Sequence, residues 1–166
     1  MKKILIGLFT TTSLIFANYA TVTKVIDGDT VYFKAQGEEI KCRVAYIDTP
    51  EKSRNKKAKR DVENCNGLTL NTMVAAGKQS TQYAKSYFQT GSKHKINIID
   101  KDRYGRSVCE IGEYNRQIIE DGYAIPYMQY IPSSKKREFK LAAQEAKRNS
   151  AGLWGTHQSV MQCMIK

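Results

Sequence analysis

Histidine, the residue that enzymes use most often as a general base, is scarce in this chain of 166 residues. The sequence contains two, His94 and His157, and neither lies at a motif spacing from a possible catalytic partner. We interpret both as surface or strand-end residues. The sequence therefore argues against a serine–histidine pair and against a histidine base.

One apolar run, at the N terminus, predicts export. Lys2 and Lys3 precede the mostly apolar segment 4–16, and Ala17 offers a small residue for cleavage. The run is short for a membrane span, and the alternative to cleavage is a retained N-terminal anchor. We predict a secretory signal peptide over residues 1–17 and a single domain over residues 18–166. The mature protein is then periplasmic or secreted.

Clustered cysteines are also missing. The four cysteines, Cys42, Cys65, Cys109 and Cys163, form no CxxC pair and no Cys/His cluster, which argues against a zinc site. An even number in an exported chain instead indicates two disulfides, for which three pairings exist. We favour Cys42 with Cys109, both in predicted strands, and Cys65 with Cys163, both in loop-like regions. In the alternative, Cys42 and Cys109 are free, buried, small hydrophobic residues.

Acidic residues are outnumbered. The chain has 27 Lys and Arg against 16 Asp and Glu, a net charge of +11. Removal of Lys2 and Lys3 with the signal leaves 25 basic against 16 acidic residues, a net charge of +9. An exported small domain with this charge is expected to bind a polyanion, with nucleic acid as the leading candidate, although a lysine-rich surface can also serve solubility alone. A cationic membrane-active protein is disfavoured, since no long helix with apolar and basic faces is visible. We expect a monomer without stable membrane association after signal removal.

Two acidic clusters stand out in the segment 24–51. Asp27-Gly-Asp29 and Asp48-Thr-Pro-Glu51 both border alternating apolar runs, which predict three short strands joined by tight turns. Carboxylates at strand ends provide the hard oxygen ligands that calcium or magnesium prefers. We predict Asp29 and Asp48 as metal ligands, with a backbone carbonyl near Thr49 and water. Asp27 is assigned to the turn, because Asp-Gly is common in ordinary hairpins.

Two arginines and a glutamate complete the candidate site. A strand arginine usually points to solvent, but Arg43 lies a few residues before an acidic cluster and could bind a phosphate group through two hydrogen bonds. Arg106 is the second candidate. Two guanidinium groups and a divalent cation would stabilise charge on a phosphoryl transition state. Glu51 would then be free to activate water as a general base.

The remaining sequence predicts two further strands and three helices. The basic segment 52–70 is interpreted as an exposed loop. Helices are predicted over 72–88, 116–121 and 134–148, and strands over 94–99 and 106–111. Because strands and helices do not alternate regularly, the pattern favours an α+β fold, a five-stranded OB-type β-barrel with three α-helices.

Four motifs in this order resemble the staphylococcal nuclease (thermonuclease) family. They are DGDTV, the R-x4-D-T-P-E of Arg43–Glu51, the D-x-Y-G-R of Asp102–Arg106, and the late G-L-W. The resemblance spans roughly residues 21–154. It implies a five-stranded OB-type barrel with three helices. It also implies a calcium-dependent phosphodiesterase that cleaves the 5′-O–P bond of DNA and RNA and leaves 3′-phosphates.

The resemblance also implies a role for each matching residue. Asp29, Asp48 and the Thr49 carbonyl match the calcium ligands, Glu51 matches the general base, and Arg43 and Arg106 match the phosphate-binding arginines. The substrate-binding positions are Arg103, where the family typically has lysine, Tyr104, and Tyr127 as a nucleotide-stacking residue; Tyr130 does not align with the family pattern.

This chain departs from the family in the long basic connection after Glu51 and in its cysteines. Because a fold does not guarantee activity, a catalytically silent nucleic-acid-binding module is the alternative. Asp29, Arg43, Asp48, Glu51 and Arg106 are all retained, which favours the enzyme.

Overall fold

The structure, a computed structural model, describes residues 19–165. The predicted signal peptide, residues 1–17, lies outside the described residues and stays a prediction. The strands are β1 Tyr19–Asp27, β2 Thr30–Ala35, β3 Glu38–Val44, β4 Ile47–Asp48, β5 Lys93–Lys101, β6 Ser107–Ile111 and β7 Ile125–Pro126. The helices are α1 Lys56–Glu63, α2 Leu70–Tyr87, α3 Tyr114–Glu120, α4 Ser133–Arg148, α5 Leu153–Thr156 and α6 Gln158–Met164.

Five strands close into a barrel in the order β1-β2-β3-β6-β5. Strands β3 and β6 pair in parallel, and the other neighbours pair antiparallel. Alternation along β2 places Val31 and Phe33 in the barrel interior, fully buried, while Tyr32 lies between them on the outer face. The predicted α+β fold with a five-stranded OB-type barrel is confirmed.

The helices differ from the prediction in number. Helices α2, α3 and α4 correspond to the three predicted ones, and α1, α5 and α6 are additional within residues 19–165. The interpretation of 52–70 as a loop was wrong for residues 56–63, which form α1. The Asn55 side chain caps this helix by accepting a hydrogen bond from the Ala58 backbone N–H at 2.8 Å. Ala58 itself is fully buried, so α1 is anchored despite its charge.

Two disulfides have the favoured pairing. Cys42–Cys109 joins the parallel strands β3 and β6 inside the barrel, where both cysteines are fully buried. Cys65–Cys163 joins the chain just after α1 to α6, across a sequence separation of 98 residues. The pairing is therefore confirmed, and the second disulfide secures the segment that the sequence suggested was a loop.

The hydrophobic core has two parts. One fills the barrel and extends to α3 and α4, and the other lies between α1, α2, α5 and α6 around Met73, Trp154 and Met161. Helix α2 contacts both β1 and α1, so it connects the barrel to the second part. Within residues 19–165, none of the helices has the length and apolar character needed to cross a membrane.

Candidate functional site

Asp29 lies in the turn between β1 and β2 and is almost completely buried. Its two carboxylate oxygens accept hydrogen bonds from the hydroxyls of Thr30 and Thr49, each at 3.1 Å. Burial alone would raise the pKa of Asp29, but the nearby Arg43 guanidinium holds it below its usual value. Asp29 is therefore an ionised, oriented carboxylate.

Asp27 has the predicted turn role. Its carboxylate accepts a hydrogen bond from the Asp29 backbone N–H at 3.2 Å. Burial and the adjacent Asp29 charge raise the pKa of Asp27 to about 7. The raised pKa favours the neutral form of Asp27, which limits repulsion within this turn.

Asp48 is placed by a sharp change of direction after β3. Tyr46 adopts the left-handed conformation, with φ of 70°, and this turns the chain from β3 into the short strand β4. Such a conformation costs about 1–3 kcal/mol in a residue other than glycine. It is held by the Tyr127 backbone N–H, which donates to the Tyr46 carbonyl at 2.7 Å, and by the Tyr46 hydroxyl, which donates to Glu110 at 2.7 Å. These two hydrogen bonds offset the strain at Tyr46, and the resulting turn places Asp48 in the site.

Arg43 joins the two acidic clusters. Its Nη2 lies 3.2 Å from Asp29 Oδ2 and 3.6 Å from Asp48 Oδ1. The same guanidinium donates to the carbonyls of Val44 and Ile47, each at 2.8 Å. The structure therefore brings Asp29, Asp48 and Arg43 together as the sequence suggested. It also gives Arg43 a second task, because the guanidinium fixes the chain between β3 and β4.

Glu51 is held by residues of the α1 segment. Its Oε2 accepts a hydrogen bond from the Asn55 side-chain amide at 2.6 Å, and its Oε1 lies 3.0 Å from Lys57 Nζ. Lys57 Nζ also lies 3.3 Å from Asp48 Oδ1 and 3.4 Å from Asp61 Oδ2. The sequence analysis missed Lys57; the available signal was the spacing of Lys57 and Asp61, one helical turn apart.

The charges of Lys57 and its neighbouring carboxylates shift one another's pKa values. Burial alone would lower the pKa of Lys57, but the surrounding carboxylates raise it above its usual value. Burial raises the pKa of Asp48 against the attraction of Lys57. The ammonium of Lys57 therefore stays charged across the physiological pH range.

Helix α2 packs against both acidic segments, the turn 27–29 and the segment 48–51. A Cβ atom added at Gly77 would lie 2.3 Å from the carbonyl carbon of Glu51, and one added at Gly28 would lie 2.2 Å from Ser80 Oγ. Gly77 permits a contact with the backbone of Glu51, and Gly28 permits a contact with the side chains of Ser80 and Thr49; a side chain at either glycine would prevent the contact. The missed signal was Gly77 itself, because glycine inside a helix is unfavourable without such a reason.

The donor chemistry fits a hard divalent cation. Within residues 19–165, no group of three or more His, Cys, Asp or Glu side chains is arranged to hold an ion alone. Asp29 and Asp48 would supply two carboxylates, and backbone carbonyl and water oxygens would supply the rest. Thr49, which follows Asp48 in the chain, is buried, and its hydroxyl donates to Asp29. An all-oxygen set of this kind suits calcium or magnesium rather than zinc.

Arg106 lies on the same outer face of the barrel as Arg43. In the parallel pairing of β3 with β6, Arg43 is opposite Val108, and Arg106 precedes Val108 by two residues. Asp102 Oδ2 accepts from Arg106 Nε at 2.6 Å, and Asp102 Oδ1 accepts from the backbone N–H groups of Tyr104 and Arg106 at 2.9 Å. Asp102 therefore fixes the turn and the direction of Arg106.

The turn before β6 carries the predicted substrate-binding residues. Tyr104 is 70% exposed, and the Arg103 guanidinium lies 4.9 Å from the centre of its ring. A surface cavity of about 310 Å³ is lined by Lys41, Tyr104, Gly105 and Arg106. Lys41 was missed by the sequence analysis, although its position two residues before Arg43 predicts the same face of β3.

A pair of aromatic residues, Tyr127 and Tyr130, lies just after β7, the strand that pairs with β4. Tyr127 follows β7, whose Ile125 is paired with Asp48, and it is 37% exposed. Its ring packs edge-to-face against that of Tyr130, with 4.7 Å between centroids. The structure thus places Tyr130, which the family pattern does not align, beside the predicted residue Tyr127.

The chain is similar to proteins of bacteria and archaea. It is 33% identical over 152 residues to an uncharacterised protein of Methanocaldococcus jannaschii, covering 82% of this chain and 71% of that protein. It is 28% identical over 158 residues to the thermonuclease of Staphylococcus hyicus, covering 89% and 83%. It is 28% identical over 150 residues to an uncharacterised endonuclease of Haemophilus influenzae, covering 86% and 70%.

A family-wide comparison agrees with these pairwise similarities. The sequence profile described as "Staphylococcal nuclease homologue" matches residues 41–156, which include Arg43, Asp48, Glu51, Arg106 and Tyr127. This match covers more than half of the chain and extends from β3 through α5. With its closed five-stranded barrel, the chain belongs to the staphylococcal nuclease family.

Proposed function

We propose that this protein is an exported, calcium-dependent endonuclease that hydrolyses DNA and RNA, cleaving the 5′-O–P bond and leaving 3′-phosphates. The observation that carries the proposal is the joint placement of Asp29, Arg43, Asp48 and Glu51. Arg43 forms ion pairs with Asp29 and Asp48, and Lys57 joins Asp48 to Glu51, at distances of 3.0–3.6 Å. The relatives named thermonuclease and endonuclease support the same reaction class.

Asp29, Asp48 and the Thr49 carbonyl would hold calcium, which when bound supplies positive charge to polarise the phosphoryl group. The hydroxyls of Thr30 and Thr49 orient the Asp29 carboxylate, and the Arg43 guanidinium contacts both Asp29 and Asp48. Preorganised ligands need little rearrangement on binding, and this favours charge stabilisation in the transition state.

Arg43 and Arg106 would bind the phosphate from the outer face of the barrel. The contact of Arg106 with Asp102 engages Nε, and a bidentate contact with phosphate can use its terminal nitrogens. Arg43 has five N–H donors, of which two serve the carbonyls of Val44 and Ile47. Together the guanidinium groups would offset the negative charge that develops on the phosphoryl oxygens.

Glu51 would accept the proton of the attacking water. The water oxygen forms a bond to phosphorus, the bond from phosphorus to the 5′ oxygen breaks, and that oxygen takes a proton from solvent. The phosphate then stays on the 3′ oxygen. The hydrogen bond from Asn55 holds the Glu51 carboxylate in one orientation, as a general base requires.

The substrate strand would extend from Tyr104 on one side to the Tyr127–Tyr130 pair on the other. Exposed aromatic rings stack on bases without strong sequence preference, which suits a nuclease that accepts DNA and RNA. The exported chain without Lys2 and Lys3 would keep 25 basic against 16 acidic residues, a net charge of +9, which supports attraction to a polyanion. Two disulfides support export, because such bonds persist in oxidising compartments. We expect the protein to act as a monomer.

The direct test incubates the purified protein with single-stranded DNA and RNA, with calcium or with a chelator. We expect cleavage only with calcium, and fragments whose new 5′ ends carry a hydroxyl and whose 3′ ends carry a phosphate. Cleavage that survives chelation would contradict the metal mechanism. Binding of intact DNA without any cleavage would favour the silent binding module.

A further inference from the structure

The Lys57 ammonium lies inside the carboxylate cluster of the site. Its nitrogen is shielded from solvent and lies 3.0 Å from Glu51, 3.3 Å from Asp48 and 3.4 Å from Asp61. A buried charge is tolerated only when charges of opposite sign surround it. Lys57 is therefore positioned by the same carboxylates that the proposed function assigns to metal and water.

Asp48 Oδ1 is shared by two cationic side chains. Arg43 Nη2 lies 3.6 Å from it, and Lys57 Nζ lies 3.3 Å from it. With both cations in place, the negative charge of Asp48 is already offset. A divalent cation at Asp48 would face repulsion at short range, so one of the two groups has to withdraw.

Lys57 is the group that can withdraw. Arg43 is fixed by two backbone carbonyls, at 2.8 Å each. Lys57 has a long, flexible stem and a second carboxylate, Asp61, one turn further along α1. A cavity of about 240 Å³, lined in part by Asp48, Asp61 and the Cys65–Cys163 disulfide, adjoins the cluster. The Lys57 ammonium therefore has an alternative partner, Asp61, and a neighbouring cavity into which it can move.

We propose that Lys57 is a built-in competitor of the metal: its ammonium occupies the cluster of Asp48 and Glu51 in the metal-free protein and withdraws toward Asp61 when calcium binds. The inference rests on the proposed function, since it assumes a calcium site at Asp29 and Asp48. Lys57 is then a positioning residue that sets the calcium concentration at which the site fills, and it also keeps Glu51 in place until then.

The test compares Lys57→Gln with Lys59→Gln and Lys57→Arg. Lys59 is exposed on the same helix, so its substitution removes the same charge away from the cluster. Calcium affinity is measured by titration calorimetry at fixed ionic strength. We expect Lys57→Gln to bind calcium about tenfold more tightly than wild type, because a like charge at short range is removed. Lys59→Gln and Lys57→Arg should stay near the wild-type affinity.

Equal affinities of Lys57→Gln and Lys59→Gln, or weaker binding by Lys57→Gln, would overturn the role of Lys57. An absence of calcium binding in wild type and every variant would instead overturn the proposed cofactor. The two failures are therefore distinguishable.

A second measurement uses the wild-type protein and does not depend on the folding of a variant. The side-chain ammonium resonance of Lys57, assigned in the wild-type protein from its through-bond correlations along the Lys57 side chain, is followed by NMR during a calcium titration. We expect a protected resonance without calcium that shifts as one equivalent binds. A resonance that stays unchanged at saturating calcium would overturn the proposal.

Discussion

Gly77 lies against the backbone of Glu51, so that a Cβ atom at Gly77 would be 2.3 Å from the Glu51 carbonyl carbon and 2.4 Å from its oxygen. Helix α2 thus contacts the segment that carries the proposed general base without a side chain between them. The position of Glu51 depends on this contact as well as on the Asn55 and Lys57 side chains that hold its carboxylate.

Gly77→Ala should therefore lower both stability and activity. An alanine inside a helix is ordinarily more favourable than glycine by about 1 kcal/mol. Here the added methyl group meets backbone atoms, and overpacking of this kind costs about 1–3 kcal/mol. We expect a lower midpoint of urea unfolding and at least a tenfold lower kcat. Lys78→Ala, at the next and exposed position of α2, is the control. A Gly77→Ala protein with raised stability and normal kcat would contradict the close packing.

The two disulfides should have different effects on function. Replacing Cys65 and Cys163 together with serine releases α1 from α6, and we expect a loss of about 2–5 kcal/mol in unfolding free energy. Because α1 carries Lys57, calcium affinity should change as well. Replacing Cys42 and Cys109, which lie inside the barrel, should lower stability with little change in calcium affinity of the folded protein. Equal effects of both replacements on calcium affinity would argue against a link between α1 and the site.

Removal of the Tyr127 ring should weaken substrate binding more than the chemical step. Stacking of one base on an aromatic side chain contributes about 1–3 kcal/mol. For Tyr127→Ala we expect at least a fivefold higher KM for single-stranded DNA with a nearly unchanged kcat. Tyr19→Ala removes another exposed tyrosine, at the start of β1, and is the control. A KM that rises equally in both variants would contradict a stacking role for Tyr127.

The sequence predicted those site residues that lie close together along the chain or are joined by regular strand pairing. Arg43, Asp48 and Glu51 lie within one short motif, and the turn between β1 and β2 brings Asp29 to it through a regular strand register. The alternating apolar pattern likewise predicted the strands that close the barrel. These features follow from neighbouring residues, whose spacing is visible in the chain.

Lys57 and Gly77 could not be predicted in the same way. Lys57 belongs to a basic run without apolar periodicity, and α1 is stabilised by a buried alanine, a cap and a distant disulfide. The contact of Gly77 with Glu51 joins segments 26 residues apart and depends on how α2 packs on the barrel. The spacing of Lys57 and Asp61 and the glycine inside α2 mark both positions, but tertiary packing decides which residues they contact, and local propensity does not contain that information.

The hydrogen bond from the Tyr46 hydroxyl to Glu110 should make the stability of the fold depend on pH in the acid range. Burial alone would raise the pKa of Glu110, but its hydrogen bonds with Lys135 and Tyr46 hold the pKa below its usual value of 4.5. A carboxyl with a lowered pKa in the folded state adds stability that is present above 4.5 and is lost as the pH falls below it. Glu110→Gln should therefore be less stable than wild type at neutral pH, and the difference should shrink in acid.

The measurement is urea unfolding at neutral pH and at about pH 3, where the carboxyl stability term is largely lost. Glu113→Gln, at a side chain that is 76% exposed, is the control and should show little difference at either pH. A difference in unfolding free energy between wild type and Glu110→Gln that stays constant with pH would contradict the lowered pKa of Glu110.

The assignment of Glu51 as the general base is tested most directly by the cleavage rate of Glu51→Gln. The rate on single-stranded DNA is measured at saturating calcium and substrate, beside wild type and Glu113→Gln. Calcium affinity and DNA affinity are determined for each protein. General base catalysis contributes about 10²–10⁴-fold, so we expect kcat of Glu51→Gln to fall by at least about a hundredfold while it still binds DNA and calcium. A Glu51→Gln protein that cleaves DNA at the wild-type rate would contradict the account.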